Sequence, residues 1–141
     1  MKWLLTTVCL LLISFFSWSQ NKFEFVTWDK VSPKVKEDLK LVKTNKTSTL
    51  YKSIAQYKMD GLEDADISLA VLDMDKDGKP EYVLLLQGME WCGTLGCSIE
   101  AYKDEGKKQI HLTDEPDGIK PAKNGIISSK GKLIPFQTAK Q

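Results

Sequence analysis

The sequence predicts an α+β domain in which two N-terminal helices pack on an antiparallel sheet of about five or six strands. Two observations lead to this fold class. Apolar residues recur at helical spacing in the first part of the chain, and they form short alternating or continuous blocks in the rest. Turn-forming Gly, Asp, Asn and Pro separate those later blocks, as is typical of hairpins. The roughly 120 residues that follow the first 19 are enough for one domain with its own core, so we expect a single domain.

Residues 1–19 are predicted to be a signal peptide. A lysine precedes an apolar core from Leu4 to Phe16, and Ser17-Trp18-Ser19 places small residues where signal peptidase reads them. We expect cleavage before Gln20 and a secreted or periplasmic protein. The apolar core is shorter than the roughly 20 residues that cross a bilayer, and an uncleaved anchor is the alternative.

The mature domain, residues 20–141, would be almost electrically neutral. It carries 19 lysines against 19 acidic residues, and the whole chain has no arginine. Guanidinium groups are the preferred means of binding phosphate in two-point contacts, so their absence argues against nucleic-acid recognition. We therefore expect no nucleic-acid partner and no stable membrane insertion after the signal peptide is removed.

The first half of the mature domain is predicted to be mainly helical. Residues 23–28 alternate aromatic and polar side chains and predict a first strand or an arm that covers the core. Ser32 and Pro33 predict the start of a helix. One apolar face on that helix is formed by Val35, Leu39 and Val42. A break at residues 44–47 contains a glycosylation acceptor pattern, and a second helix is expected from Ser48 to about residue 60.

Six short apolar blocks predict the strands. They are Ile67–Leu72, Tyr82–Leu86, Ser98–Tyr102, Gln109–Leu112, Gly125–Ser128 and Leu133–Phe136. Gly-containing turns at residues 104–106 and 130–131 separate the later strands, so neighbouring strands are expected to pair antiparallel in one sheet.

The loop between the first two of these strands has the composition of a calcium site. Three aspartates alternate along it, and Gly78 allows the sharp bend that turns their side chains toward one point. The candidate ligands are the side chains of Asp73, Asp75, Asp77 and Glu81 and the backbone carbonyl of Lys79. With water, these would supply the oxygen ligands that calcium requires.

This loop is not an EF-hand. The position at which an EF-hand has its bidentate glutamate is occupied by Leu84, inside a predicted strand rather than a helix. The alternative is an ordinary Asp-Gly turn without an ion. Against it, three neighbouring aspartates repel one another, and Glu81 would add a fourth negative charge with no benefit to a bare turn.

The pattern D-x-D-x-D-G-x-P-E followed by an apolar strand resembles the calcium loops of FG-GAP and VCBS-type repeats in secreted proteins. Residues 72–102 are also similar to a group of small exported bacterial proteins whose function is not established. Those proteins combine such a hairpin with an aromatic residue before C-G-x-x-G-C, which here is Trp91 to Cys97. The resemblance implies an exported domain with calcium, and it supplies no catalytic residue.

Cys92 and Cys97 are the two cysteines left in the mature domain, and they predict a disulfide. Gly93 and Gly96 allow the intervening residues to turn back. A redox pair and half of a metal site are the alternatives. The first usually has two residues between its cysteines, and the second needs further soft ligands.

No pattern of catalytic residues is recognisable, so we expect a protein that is not an enzyme. His111 is the only histidine, and it lies in a predicted strand rather than in a catalytic motif. Two functions fit an exported domain of this size. One is a calcium-dependent module that binds a protein or glycan through the turn around Trp91, unless that tryptophan packs in the core. The other is an inhibitor or immunity-type protein whose calcium is purely structural.

Overall fold

A computed structural model of the chain describes residues 22–40, 48–103 and 107–137. The predicted signal peptide, the glycosylation pattern and the turn at residues 104–106 lie outside these ranges. The described residues form two helices and nine strands, with short 3-10 turns at Trp28–Lys30 and Asp64–Asp66. The helices are α1 (Pro33–Lys40) and α2 (Thr49–Met59). The strands are β1 (Val26–Thr27), β2 (Ile67–Leu72), β3 (Glu81–Leu86), β4 (Cys92–Gly93), β5 (Gly96–Lys103), β6 (Lys107–Asp114), β7 (Lys120–Ala122), β8 (Gly125–Ile127) and β9 (Leu133–Pro135).

Both helices begin where their capping residues predict. The Ser32 hydroxyl accepts a hydrogen bond from the backbone N–H of Val35, and Pro33 is the first residue of α1. The Ser48 hydroxyl accepts one from the N–H of Tyr51 at the start of α2. These bonds satisfy N–H groups that have no partner inside the helix.

The main sheet has six antiparallel strands. β1, β2, β3 and β5 lie side by side in that order, and β6 pairs with the other edge of β5. The short strand β4 forms a tight hairpin with the start of β5. The predicted α+β class is therefore observed, and four of the six predicted strands, β2, β3, β5 and β6, lie in the main sheet.

Strand β3 is buried on both faces, which explains its continuous apolar sequence. Leu84 and Leu86 point to the side where α1, α2 and Trp28 pack. Val83 and Leu85 point to the other side, where residues such as Ile126 cover them. The sheet is thus the central layer between the helices and a second cover.

The layer that covers the face of the main sheet opposite the helices differs from the prediction. The C-terminal strands β8 and β9 were expected in the main sheet, but they join β7 in a separate three-stranded sheet. Pro121 lies in β7 and Pro135 in β9. Because proline cannot donate to a neighbouring strand, it suits the two outer strands of a small sheet better than the interior of a larger one.

Candidate metal centre

The acidic loop closes the hairpin of β2 and β3. Leu72 and Glu81 are directly paired across the two strands, so residues 73–80 form the connection. Its backbone turns through two left-handed positions, Lys76 at φ 58° and Gly78 at φ 86°. The glycine therefore lies where a conformation unfavourable for other residues is needed.

The loop brings the four predicted carboxylates together. One oxygen from each of Asp73, Asp75, Asp77 and Glu81 lies within 4.8 Å of the others. Backbone N–H groups orient Asp73, whose oxygens accept hydrogen bonds from Asp77 at 3.1 Å and Gly78 at 2.9 Å. The chain itself thus folds around a point surrounded by oxygen atoms. This group of carboxylates could hold a metal ion.

Glu81 is the most unusual member of this cluster. It is only 1% exposed, and one carboxylate oxygen accepts a hydrogen bond from the N–H of Met74 at 2.6 Å. The other oxygen, Oε1, has no hydrogen-bond partner among the described residues. A buried carboxylate oxygen without a donor is costly, and a bound cation would remove that cost.

The pKa of Glu81 is raised because its buried, acidic surroundings disfavour a further negative charge. Burial, the largest cause, and the negative charges of Asp75 and Asp77 raise the pKa of this carboxyl to about 7, although the hydrogen bond from Met74 opposes the shift. A divalent cation among these groups would favour the ionised form that burial and the neighbouring carboxylates disfavour.

Lys103 contacts the cluster from the end of β5. Its ammonium nitrogen lies 2.7 Å from Oδ2 of Asp75, and this hydrogen bond is the main reason that the pKa of Asp75 is lowered. The contact arises because β5 runs antiparallel to β3, with Tyr102 opposite Tyr82 at the loop end. No local spacing in the sequence indicates this residue, since it follows Asp75 by 28 positions.

The chemistry of the cluster suits a hard cation. All four side chains offer oxygen, and no histidine or cysteine contributes to the cluster. Oxygen-only sites favour calcium, magnesium or manganese over zinc and copper. Lys79 donates its N–H to Asp77 at 2.8 Å, and the role predicted for its carbonyl remains a prediction.

The predicted disulfide is present and lies at the other end of the sheet. Cys92 and Cys97 are bonded and face each other across the β4–β5 hairpin. The hairpin follows the end of β3 at Leu86, whereas the acidic loop precedes its start. The length of β3 separates the two features by about 17 Å, taking the usual rise per residue.

The structure places Trp91 partly in the core, which is one of the two alternatives that the sequence left open. The residue is half-buried and packs against the helix-side core. Its ring meets that of Tyr57 in an edge-to-face contact with 4.9 Å between centroids. The exposed Met89 lines the same pocket as Trp91, whereas the exposed Leu95 lines a different pocket beside the second sheet.

A buried polar network beneath α2 was not predicted. Glu100 is 2% exposed, and its carboxylate accepts hydrogen bonds from the hydroxyls of Tyr57 and Tyr102. Lys108 pairs with it at 3.2 Å. The alternation of β5 placed Glu100 on a definite face, but only the position of α2 makes that face an interior one.

His111 lies exposed on β6, and one ring nitrogen is 3.1 Å from the hydroxyl of Ser98. Its partner across the strands is Glu100, and it does not belong to the cluster of four carboxylates. Among the described residues, no helix is both long enough and apolar enough to span a membrane.

Comparison with known proteins finds no matching family model, no matching curated protein and no matching solved structure. The similarity of residues 72–102 to exported proteins with calcium loops therefore remains a prediction made from the motif alone.

Proposed function

We propose that the chain is an exported, non-enzymatic domain whose β2–β3 loop binds calcium. The observation that carries this proposal is Oε1 of Glu81, a buried oxygen without a hydrogen-bond partner among the described residues, in a cluster with three aspartates. Calcium fits better than magnesium, because an irregular loop of carboxylates suits its variable coordination and magnesium demands a near-ideal octahedron.

Export is the second part of the proposal. The disulfide supports an oxidising compartment, where such bonds form and persist. Residues 1–19 would act as the cleaved signal peptide, and the mature domain would be secreted or periplasmic. Extracellular fluids also contain calcium at concentrations that fill sites with dissociation constants of about 10⁻⁴ to 10⁻³ M.

Thermal unfolding tests the calcium site. A ligand that binds only the folded state stabilises it, so calcium at about ten to a hundred times its dissociation constant should raise the melting temperature of residues 20–141 by roughly 5 to 15 °C. The double variant Asp75→Asn, Asp77→Asn should lose most of this rise. Melting curves followed by circular dichroism, with calcium and with a chelator, measure both effects.

The matched control is Asp38→Asn with Asp117→Asn, which removes two exposed acidic charges outside the loop. This variant should keep the full calcium response. No rise in the wild type would refute the calcium site. An equal rise in the loop variant and the control would assign the effect to general charge screening.

The mature domain would act as a binding module for a protein or glycan, with Trp91 in the contact surface. Support comes from the exposed side chain of Met89, which lines the same pocket as Trp91. The disulfide holds the hairpin that begins directly after Trp91. Tryptophan is enriched among the residues that dominate binding energy.

A second candidate is an inhibitor or immunity-type protein with a purely structural ion. One observation favours it: the acidic loop and Trp91 lie at opposite ends of β3. A calcium ion in the loop would not touch a partner bound at Trp91. Calcium would then affect binding only through the stability of the fold.

Capture of partners on the immobilised mature domain separates these roles. Binding lost on chelation, at a temperature where the fold persists without calcium, would support the calcium-dependent module. Binding that survives chelation would support the inhibitor. In both cases Trp91→Ala should weaken capture, and undiminished capture by this variant would refute the Trp91 surface. Hydrolysis of a captured partner, abolished by His111→Ala, would overturn both roles.

A further inference from the structure

Lys103 and Asp75 form a partly shielded ion pair at the acidic loop. Their side chains are 25% and 15% exposed, and 2.7 Å separates the ammonium nitrogen from Oδ2 of Asp75. By contrast, the surface pair of Lys34 and Asp38 is 84% and 57% exposed. Shielding from water strengthens an ion pair, so Lys103 is a substantial charge at this site.

The position of this charge conflicts with a bound cation. Asp75 is one of the four side chains whose oxygens converge, and its two oxygens accept hydrogen bonds from Lys103 and from the N–H of Asp77. A divalent cation at the point of convergence would lie beside a positive ammonium group. The two positive charges repel each other and compete for the same carboxylate.

We propose that Lys103 competes with the metal ion for the carboxylate of Asp75. Its ammonium group neutralises Asp75 when no ion is bound, and it leaves Asp75 when a divalent cation binds. Lys103 thereby sets a modest affinity and keeps the ion-free loop from repelling itself apart. This inference rests on the calcium site proposed above.

Displacement of Lys103 would also change the environment of a residue next to the second sheet. The Lys103 ammonium lies 5.3 Å from the centre of the Phe136 ring, directly after β9. The backbone N–H of Phe136 donates to the carbonyl of Asn124 at 2.7 Å, which ties the backbone of this residue to the β7–β8 turn. Movement of the ammonium should therefore change the surroundings of Phe136 as calcium is added.

Calorimetric calcium titration of residues 20–141 tests the competition. Replacing Lys103 by Met removes a positive charge in contact with a ligand, and we expect the dissociation constant to fall by about tenfold. The ion-free variant should melt below the wild type. Lys103→Arg keeps the charge and should bind within about threefold of the wild type. Should the Met variant fail to fold without calcium, Lys103→Gln replaces it.

Lys76→Met is the matched control, because Lys76 is an exposed lysine within the same loop. Its charge is open to solvent and salt, so its removal should change the affinity by less than about threefold. If the Lys76 and Lys103 variants bind calcium more tightly by the same factor, the change in net charge explains the effect and the competition is refuted. Unchanged or weaker binding after Lys103→Met would refute it as well.

Nuclear magnetic resonance on the wild type gives an independent readout. The signals of the Lys103 ε-methylene and the Phe136 ring should shift together with calcium occupancy, and static signals during saturation would refute displacement. The titrations distinguish a failure of the Lys103 competition from a failure of the calcium site. If wild type and variants bind calcium equally, only the competition fails, and if none binds calcium, the site fails too.

Discussion

Gly96 shows how one residue can be fixed by two independent requirements. Its φ of 106° is rarely adopted by residues with a side chain. A β-carbon built there would also lie 2.1 Å from the carbonyl carbon of Asp114 and 2.6 Å from the nitrogen of Glu115. These are backbone atoms that cannot turn aside as the end of a side chain would. The disulfide hairpin therefore packs on the end of β6 only with glycine at this position.

Gly96→Ala should lower the free energy of unfolding by at least about 3 kcal/mol, because backbone strain and overpacking add. Gly93→Ala is the control on the other strand of the hairpin. A β-carbon there meets nothing within 4 Å, and we expect a change within about 0.5 kcal/mol. Urea unfolding of both variants with the disulfide intact measures the difference. Similar stabilities would show that the hairpin can move away from β6.

The sequence could not distinguish these two glycines. Both flank the turn symmetrically, and both were predicted only to give it freedom. The difference depends on what packs against each one. The acidic loop is the opposite case, since its carboxylates lie within nine consecutive residues and local spacing was enough to bring them together. Lys103 joins them only through the pairing of β3 with β5, which no short motif records.

At the level of the secondary structure elements, Asp114 links the two sheets. It is the last residue of β6, and one carboxylate oxygen accepts a hydrogen bond from the N–H of Ser129 at 2.8 Å. The other accepts from the Ser129 hydroxyl and the N–H of Glu115. Burial alone would raise the pKa of Asp114, but these hydrogen bonds outweigh it and lower the pKa.

A lowered pKa in the folded state means that the ionised carboxyl stabilises the fold above its ordinary value of 3.8. That contribution is lost as the pH falls through the lower pKa of the folded state. Asp114→Asn should therefore cost about 1 to 3 kcal/mol at neutral pH, because donors lose their charged acceptor. The difference from the wild type should shrink at low pH.

Urea midpoints measured between about pH 6 and about pH 2.5 check this dependence. Asp117→Asn makes the same change at an exposed residue of the following turn and should leave the midpoint unaltered. If Asp114→Asn lowers the urea midpoint by the same amount at every pH, the side chain acts through its shape rather than its charge.

The strands themselves were largely predictable from their apolar patterns. β2 begins and ends at the predicted residues, and β8 and β9 each end one residue early. β7 was missed because Lys-Pro-Ala contains neither alternation nor a β-branched residue. It is a strand only because β8 lies beside it. Short strands of this kind depend on their neighbours more than on their own sequence.

For the whole molecule, the sequence predicted the two helices and four strands of the main sheet but not the layer on its far side. The apolar run of β3 is consistent with burial on both faces. It does not identify the residues that cover each face, because that depends on contacts distant in sequence. Ile126 fills the far side and Leu50 the near side, and each has the same apolar character. The order of the layers therefore depends on contacts between residues that are distant in the sequence.

The two ends of β3 have different consequences for where this chain can be stable. One end leads into a loop of carboxylates that a bound cation would stabilise further, and the other leads into a hairpin closed by a reducible disulfide. A reducing, calcium-poor cytosol would supply neither the ion nor the disulfide. If the chain is exported as proposed, its precursor would be less stable there than the mature domain is outside, which would ease its passage through a translocation channel. The ion and the disulfide would add their stability only after export, which would make export hard to reverse.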